Sequence, residues 1–325
     1  MVKQHFRWID TAKGIGIILV VFGHAIADTT SEIPIFNKIF WFIYSFHMPL
    51  FFFLSGFCGA KALETFTKDE KAKYIIGRFK RLMIPYFFIG CVYIPIKLVM
   101  ADYVTSTVSI QTAIKDMLLG SNPNSQLWTL YALFLSAIFI SIFAVKTRGD
   151  YQLGLLIVAV ICGIVSISLP SGVLQNILGE FPFYVLGVIA RKNNFQRLLN
   201  GKIAAVSVVI FIGINIISKI HNDSILKFAT GITGILVISY LSKKISEIFK
   251  ATSIEVLGKY SMDIYIIANM VQVLIRIVML NKLAISPIIY CFGSTIFGVL
   301  IPVIISKYLI RRLKISRALI LGDFK

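Results

Sequence analysis

A lysine and a histidine lie on one face of the first apolar segment of this 325-residue chain. Lys13 and His24 are eleven residues apart, and eleven helical residues turn through about 1,100°, close to a whole number of turns. Asp10 precedes the lysine by three residues and Asp28 follows the histidine by four, so the polar stripe continues in both directions. Because ionisable side chains are costly inside a bilayer, this stripe indicates a functional site.

His24 is the first candidate for catalysis, because a neutral imidazole accepts a proton from a hydroxyl group near neutral pH. The alternative is a histidine bonded to a neighbouring helix for structural reasons. Lys13 and Asp10 complete the candidate catalytic group, unless the lysine only extends to the interface and pairs with the aspartate. His47, expected at a similar depth in the next apolar segment, either faces the same cavity or packs against a kink at Pro49.

A second candidate site is cationic. Arg78 and Arg81 are three residues apart, so a regular helix presents both guanidinium groups on one face. With Lys80 they form a dense positive cluster, and arginine side chains suit the geometry of phosphate groups. The alternative is ordinary positive charge beside lipid headgroups.

Two further residues are candidates for contact with a substrate. Trp128 fits either an interfacial aromatic belt or stacking on a sugar ring. Glu180 is an ionisable residue at the start of another apolar segment, where it either contacts a substrate or pairs with Arg276 in a structural role.

The chain that positions these residues is strongly apolar: 57% of it is hydrophobic, and its mean hydropathy is +0.84. Soluble domains of this length do not have this composition. A spanning helix needs about 20 mostly apolar residues. The sequence therefore predicts an all-α integral membrane protein with about ten transmembrane helices, at 9–27, 39–59, 82–100, 127–145, 151–169, 173–190, 203–220, 225–242, 261–280 and 286–305. We expect residues 1–325 to form a single membrane-embedded domain without a fused soluble domain.

The formal net charge of +18 does not require a nucleic acid partner. If the N-terminus is cytoplasmic, 25 of the 33 lysines and arginines fall in cytoplasmic segments and 5 in the opposite loops. This positive-inside asymmetry, with attraction to anionic membrane lipids, explains nearly all of the charge. We expect both termini in the cytoplasm and a multi-pass protein of the inner (plasma) membrane. The first segment imitates a signal peptide, but its polar stripe favours a retained helix.

Three motifs in order, at 7–24, 46–57 and 78–86, are similar to those of the acyltransferase-3 family of integral membrane acyltransferases. Weaker similarities follow at 127–130, 181–187 and 258–265. Within the family, the chain most resembles the fucose O-acetylase-like branch. One departure is Ala268, which stands where family members commonly carry a histidine.

The resemblance implies roles for several of these residues. Lys13 and His24 match a basic residue and a histidine separated by ten positions, and the family histidine is the proposed catalytic residue. Arg78 and Arg81 match the family's arginine pair. Ser55 begins a match to its serine-glycine-phenylalanine motif and is counted with the substrate-binding candidates. The family's usual acyl donor is acetyl-CoA from the cytoplasm.

Together these observations predict a membrane O-acetyltransferase that uses acetyl-CoA and no metal. CoA phosphates would bind Arg78, Arg81 and Lys80, and His24 would act as base on a hydroxyl of a cell-surface or lipid-linked glycan. A first transfer of the acetyl group to His24 stays open as an alternative, as does an acyl group longer than acetyl. Exopolysaccharide, O-antigen, peptidoglycan and lipid-linked precursors all remain open as acceptors, and the oligomeric state is open too. The competing hypothesis is a transporter or flippase of a lipid-linked sugar, because buried charges and a kinked helix suit transport as well.

Overall fold

The computed structural model describes residues 6–60, 68–99, 109–146, 152–217, 224–250 and 252–324. This part of the chain is helical and contains no β-strand. Within it, eight helices are long and apolar enough to cross a membrane, and two shorter apolar helices cover Gln152–Ser168 and Gly201–Ile216. These findings confirm the all-α membrane fold. The count of about ten spans and the cytoplasmic termini stay predictions.

The α-helices are α1 (Arg7–Ala27), α2 (Pro34–Tyr44), α3 (His47–Gly59), α4 (Lys68–Arg78), α5 (Ile84–Val99), α6 (Ile110–Leu118), α7 (Trp128–Lys146), α8 (Gln152–Ser168), α9 (Val173–Lys192), α10 (Gly201–Ile217), α11 (Ser224–Ile248), α12 (Ser253–Lys259), α13 (Ser261–Arg276), α14 (Pro287–Ile305) and α15 (Lys314–Leu321). A π-helical turn, Phe79–Met83, joins α4 to α5. Parts of two expected connectors, 61–67 and 101–108, lie outside the described residues.

The chain forms two compact units. The first unit contains residues 1–54 and 192–306, and the second contains residues 55–191 and 307–325. Helix α1 occupies the centre of the first unit, where it contacts α2, α11, α12, α13 and α14. Its apolar residues Ile17, Val20 and Val21 are buried against Ile264 and Val299. The helix that carries the polar stripe is therefore packed on several sides by protein.

Close backbone contact fixes the N-terminal half of α1 in the first unit. A Cβ atom added to Gly258 of α12 would lie 1.8 Å from the carbonyl oxygen of Asp10. One added to Gly14 would lie 2.1 Å from the carbonyl oxygen of Ile254. Only glycine permits this approach, because no side-chain atom fits between the two backbones.

The second apolar segment, Pro34–Gly59, is one candidate span that a short turn divides into two helices. Helix α2 ends at Tyr44, and α3 begins at His47 after a two-residue turn. The predicted kink is present as a turn at Ser45 and Phe46, just before Pro49. Pro49 lies in the first turn of α3, where its missing N–H group leaves no helical hydrogen bond unmade. This turn separates Tyr44 from His47, and both residues belong to the candidate site described below.

In the second unit, α4 and the π turn pack against α7, and α15 packs against α5. Tyr86 of α5 is fully buried, and its hydroxyl donates to the carbonyl oxygen of Met117 in α6 at 2.9 Å. Asn122 donates to the carbonyl oxygen of Tyr86 at 2.8 Å. These bonds tie the connector before α7 to the side of α5.

Candidate functional site

Helix α1 is continuous from Arg7 to Ala27, so Asp10, Lys13 and His24 do share one helix as predicted. All three side chains are partly exposed within the folded chain, whereas their neighbours Ala12, Ala25 and Ile26 are fully buried. A rise of 1.5 Å per residue separates Lys13 from His24 by about 16 Å along the axis. The helix therefore carries a basic group and an imidazole on the same face, near opposite ends.

His24 contacts a residue that the sequence interpretation did not single out. Its Nδ1 atom lies 3.3 Å from the hydroxyl oxygen of Tyr44 at the C-terminal end of α2. The two rings meet edge to face, with centroids 6.1 Å apart and an interplanar angle of 81°. Phe40 stacks on the tyrosine ring, with the two ring centroids 3.9 Å apart. The tyrosine hydroxyl is thus held beside the imidazole by packing on its own ring.

His47 belongs to the same cluster. Its ring centroid lies 4.5 Å from that of Tyr44, and the side chain is only 2% exposed. Its Nδ1 atom lies 3.0 Å from the carbonyl oxygen of Ile43. A carbonyl oxygen only accepts hydrogen bonds, so Nδ1 carries the hydrogen and Nε2 of the neutral ring has the lone pair. The structure therefore brings together His24 and His47, with Tyr44 in contact with both.

A charged network follows one turn beyond His24. Asp28 accepts hydrogen bonds from Arg276 at 2.8 Å and from the hydroxyl of Tyr290 at 2.6 Å. The ion pair is partly buried, with the arginine side chain 18% exposed and the aspartate 24%. Arg276 thus pairs with the last acidic residue of the polar stripe, and its alternative pairing with Glu180 stays a prediction.

The cationic candidates lie in the second unit at the π turn. The guanidinium carbon of Arg78 lies 5.1 Å from the ring centroid of Tyr74. Arg81 donates from one guanidinium nitrogen to the carbonyl oxygen of Leu321 at 2.6 Å. Lys80 is exposed, with its ammonium 5.1 Å from the ring centroid of Phe324. The arginine pair was predicted on one face of a regular helix, but a π turn begins directly after Arg78 and the two guanidinium groups have different partners.

The remaining substrate-binding candidates also lie in the second unit. Ser55 is half-buried in α3, next to Gly56, where an added Cβ atom would lie 2.0 Å from the carbonyl oxygen of Tyr184. This close approach of α3 and α9 gives the serine-glycine pair a packing reason. Glu180 is half-buried in α9, the helix that Gly56 contacts.

Trp128 is the first residue of α7 and is half-buried. The turn before it is held by side-chain amides: Asn122 Oδ1 accepts from the backbone N–H of Asn124 at 2.9 Å, and Asn124 Oδ1 accepts from that of Gln126 at 3.3 Å. This turn fixes where the tryptophan enters its helix.

The described residues contain no group of three or more histidine, cysteine, aspartate or glutamate side chains that could hold a metal ion. The comparisons with known proteins give one match. The model of the acyltransferase-3 family (Acyltransferase domain) matches residues 6–307, which is most of the chain. No curated protein and no solved structure matches.

Proposed function

Because the chain belongs to the acyltransferase-3 family and is a membrane acyltransferase, we propose that it moves an acetyl group from acetyl-CoA to a hydroxyl of a glycan. The acceptor is a cell-surface or lipid-linked sugar, and the donor comes from the cytoplasmic side of the inner membrane. His24 is the proposed general base. The fucose O-acetylase-like branch, as a narrower assignment, stays a prediction.

The observation that carries this proposal is the contact between His24 and Tyr44 beside His47. In our proposal the tyrosine hydroxyl accepts a hydrogen bond from Nδ1 of His24, so Nε2 has the lone pair that removes a proton. A partner on one ring nitrogen fixes the tautomer and the ring orientation, which a base needs in order to react through the other nitrogen.

The reaction that we propose is a direct transfer. His24 removes the proton of the acceptor hydroxyl while the oxygen forms a bond to the carbonyl carbon of the thioester. The carbon–sulfur bond breaks, and the imidazolium returns its proton to the departing CoA sulfur. Water would compete with the acceptor for the same carbonyl, so an apolar environment around the imidazole favours transfer over hydrolysis.

We assign the donor phosphates to Arg78, Arg81 and Lys80. The cluster suits such a donor, since two guanidinium groups and an exposed ammonium lie within four consecutive positions. Lys13 and Asp10 stay in the proposed catalytic group as the polar end of the stripe that leads to His24. The helical distance of about 16 Å between Lys13 and His24 compares with the length of an extended pantetheine arm.

For the acceptor we propose His47, Trp128, Ser55 and Glu180. His47 supports the assignment best, because Nε2 of its neutral ring is a hydrogen-bond acceptor for a sugar hydroxyl. An indole ring such as that of Trp128 offers an apolar face to a pyranose. Ser55 and Glu180 add polar groups of the kind that orient sugars.

The test is acetyl transfer by the purified protein in lipid nanodiscs, with radiolabelled acetyl-CoA and a panel of glycan acceptors. We expect label on sugar with the wild type and none above background with His24→Ala. The matched control is Val209→Ala, an exposed position of α10, which should retain full activity. Transfer by the His24→Ala protein would contradict the proposed base.

The same preparation tests the competing hypothesis. In sealed vesicles, a flippase would move a labelled lipid-linked sugar across the bilayer without acetyl-CoA and without changing the sugar's mass. Such movement, in the absence of any acetylated product, would show that the protein is a transporter and not an acetyltransferase.

A further inference from the structure

The segment that follows the last residue of the family match, residue 307, packs onto the arginine motif. Helix α15 packs against α5, and Leu321 and Gly322 contact Lys80 and Arg81 of the π turn Phe79–Met83. Leu321 at the end of α15 is buried, with 1% exposure. The packed segment and the motif belong to the same compact unit.

The contact is made by the C-terminal end of α15. The last carbonyl groups of a helix have no partner within it, and they carry partial negative charge. Arg81 donates to one of them, that of Leu321, at 2.6 Å. A guanidinium has five N–H donors in one plane, so a bond to a fixed carbonyl restricts the orientation of the whole group.

A glycine brings the two backbones together. Gly322 has φ +61°, the left-handed conformation that ends helices and that favours glycine. A Cβ atom added there would lie 2.0 Å from the carbonyl oxygen of Lys80 and 2.6 Å from Cα of Arg81. Beyond it, Asp323 lies 3.8 Å from Arg317 in an ion pair, and Phe324 lies under the ammonium of Lys80. Two of the three cationic candidates are thus contacted by this one segment.

We propose that residues 314–324 are a positioning clamp that holds Arg81 and Lys80 in the orientation required by the nucleotide phosphates of the acyl donor. The inference rests on the proposed function, because it takes a CoA thioester as the donor. Arginine and lysine side chains have much rotamer freedom, and a bound phosphate must otherwise restrict it. By restricting it in advance, the clamp strengthens donor binding without taking part in the acyl transfer step.

The test compares two donors of the same acetyl group. Acetyl-CoA carries the nucleotide phosphates, whereas acetyl-pantetheine lacks the nucleotide. For Gly322→Ala we expect the KM for acetyl-CoA to rise about tenfold, the size of one charged hydrogen bond, with kcat unchanged. The rate with acetyl-pantetheine should not change. Binding of CoA alone, measured by calorimetry, should weaken by the same factor.

A second variant keeps the proposal testable if Gly322→Ala does not fold. Phe324→Ala removes only the ring at Lys80 from an exposed position, and should raise the KM for acetyl-CoA about twofold to fivefold, as expected for an exposed cation–π pair. The matched control is Gly77→Ala, one residue before the arginine motif, where an added Cβ atom meets no heavy atom within 4 Å. It should leave both donors unaffected.

An equal loss of activity with acetyl-CoA and with acetyl-pantetheine would show that the contact is only structural, and would contradict the proposed clamp. An unchanged KM for acetyl-CoA in both Gly322→Ala and Phe324→Ala would also contradict it. The same assays in nanodiscs with and without phosphatidylglycerol separate lipid phosphate from donor phosphate. A change only in the dependence on anionic lipid would also overturn it. If the wild type transfers acetyl from neither donor, the proposed acetyltransferase function is wrong. Calorimetry with CoA then still tests the clamp, because it measures donor binding without acyl transfer.

Discussion

The hydroxyl oxygen of Tyr44 lies 3.3 Å from Nδ1 of His24, although the two residues are twenty positions apart in the chain. The tyrosine ring also contacts the rings of Phe40 and His47, with centroid distances of 3.9 Å and 4.5 Å. A hydroxyl fixed in this way by its own ring can orient an imidazole, and it connects the histidine of α1 to that of α3.

Tyr44→Phe should therefore lower kcat for acetyl transfer about 10- to 100-fold, the size of a hydrogen bond to a group that becomes charged. The phenylalanine ring keeps the stacking on Phe40, so the melting temperature should change little. Tyr131→Phe is the control, because it removes a hydroxyl bonded to the carbonyl oxygen of Leu118 at an exposed site. A wild-type kcat in Tyr44→Phe would show that the tyrosine hydroxyl has no role in the mechanism.

His47 is tested by two replacements that differ in one hydrogen bond. The amide nitrogen of His47→Asn can still donate to the carbonyl oxygen of Ile43, in the place of Nδ1, but the side chain has no counterpart of Nε2. We expect this variant to fold normally and to show a raised KM for the glycan acceptor. His47→Ala should in addition lose about 1 kcal/mol of unfolding free energy, because the carbonyl oxygen of Ile43 loses the side-chain hydrogen bond and keeps that from the backbone N–H of Phe46. A normal acceptor KM in His47→Asn would assign the histidine to structure alone.

Arg78→Lys keeps the charge of the donor cluster but removes the planar guanidinium. We expect the KM for acetyl-CoA to rise about tenfold with kcat retained, since lysine cannot make the paired hydrogen bonds to a phosphate. Arg312→Lys is the matched control, because Arg312 also lies over a tyrosine ring, that of Tyr308, at 5.5 Å. If both variants have the wild-type dependence on acetyl-CoA concentration, Arg78 does not bind the donor and its charge is instead assigned to contact with lipid headgroups.

The ion pair between Asp28 and Arg276 should stabilise the end of α1 next to His24. Asp28→Asn and Arg276→Gln are each expected to lower the unfolding free energy by about 1–3 kcal/mol, since each removes a partly buried ion pair. The double variant should lose less than the sum, by about 1 kcal/mol. The exposed pair Lys244–Glu247, 48% and 46% exposed, provides the comparison cycle and should show about 0.5 kcal/mol or less. Equal coupling in the two cycles would contradict a special role for the pair near His24.

Gly258→Ala tests the contact that holds the N-terminal half of α1. The added methyl group has no room beside the carbonyl oxygen of Asp10, so we expect a loss of about 1–3 kcal/mol in unfolding free energy. Gly213→Ala in α10 adds the same group where no heavy atom lies within 4 Å, and should be neutral or slightly stabilising. Thermal unfolding of the two purified proteins measures the difference. Equal melting temperatures would mean that α12 can move away from α1 at no cost.

The sequence alone determined the membrane class, the helix α1 and the shared face of Lys13 and His24. Those properties follow from composition and from the periodicity of one helix, which are local and need no knowledge of neighbours. The arginine pair was recognised as a motif, but its regular helical face was not found, because the π turn depends on how α4 and α5 pack with α7 and α15.

Only the tertiary structure decided which side chains meet. Tyr44 lies at a helix end that the sequence placed inside a longer span, so nothing in its neighbourhood indicated contact with His24. The pairing of Asp28 with Arg276 joins residues 248 positions apart, and several other acidic residues were equally available by charge. The same holds for Arg81 and Leu321, where the acceptor is a backbone carbonyl that every residue possesses. Contacts of this kind depend on the three-dimensional packing of helices, which one-dimensional patterns do not encode.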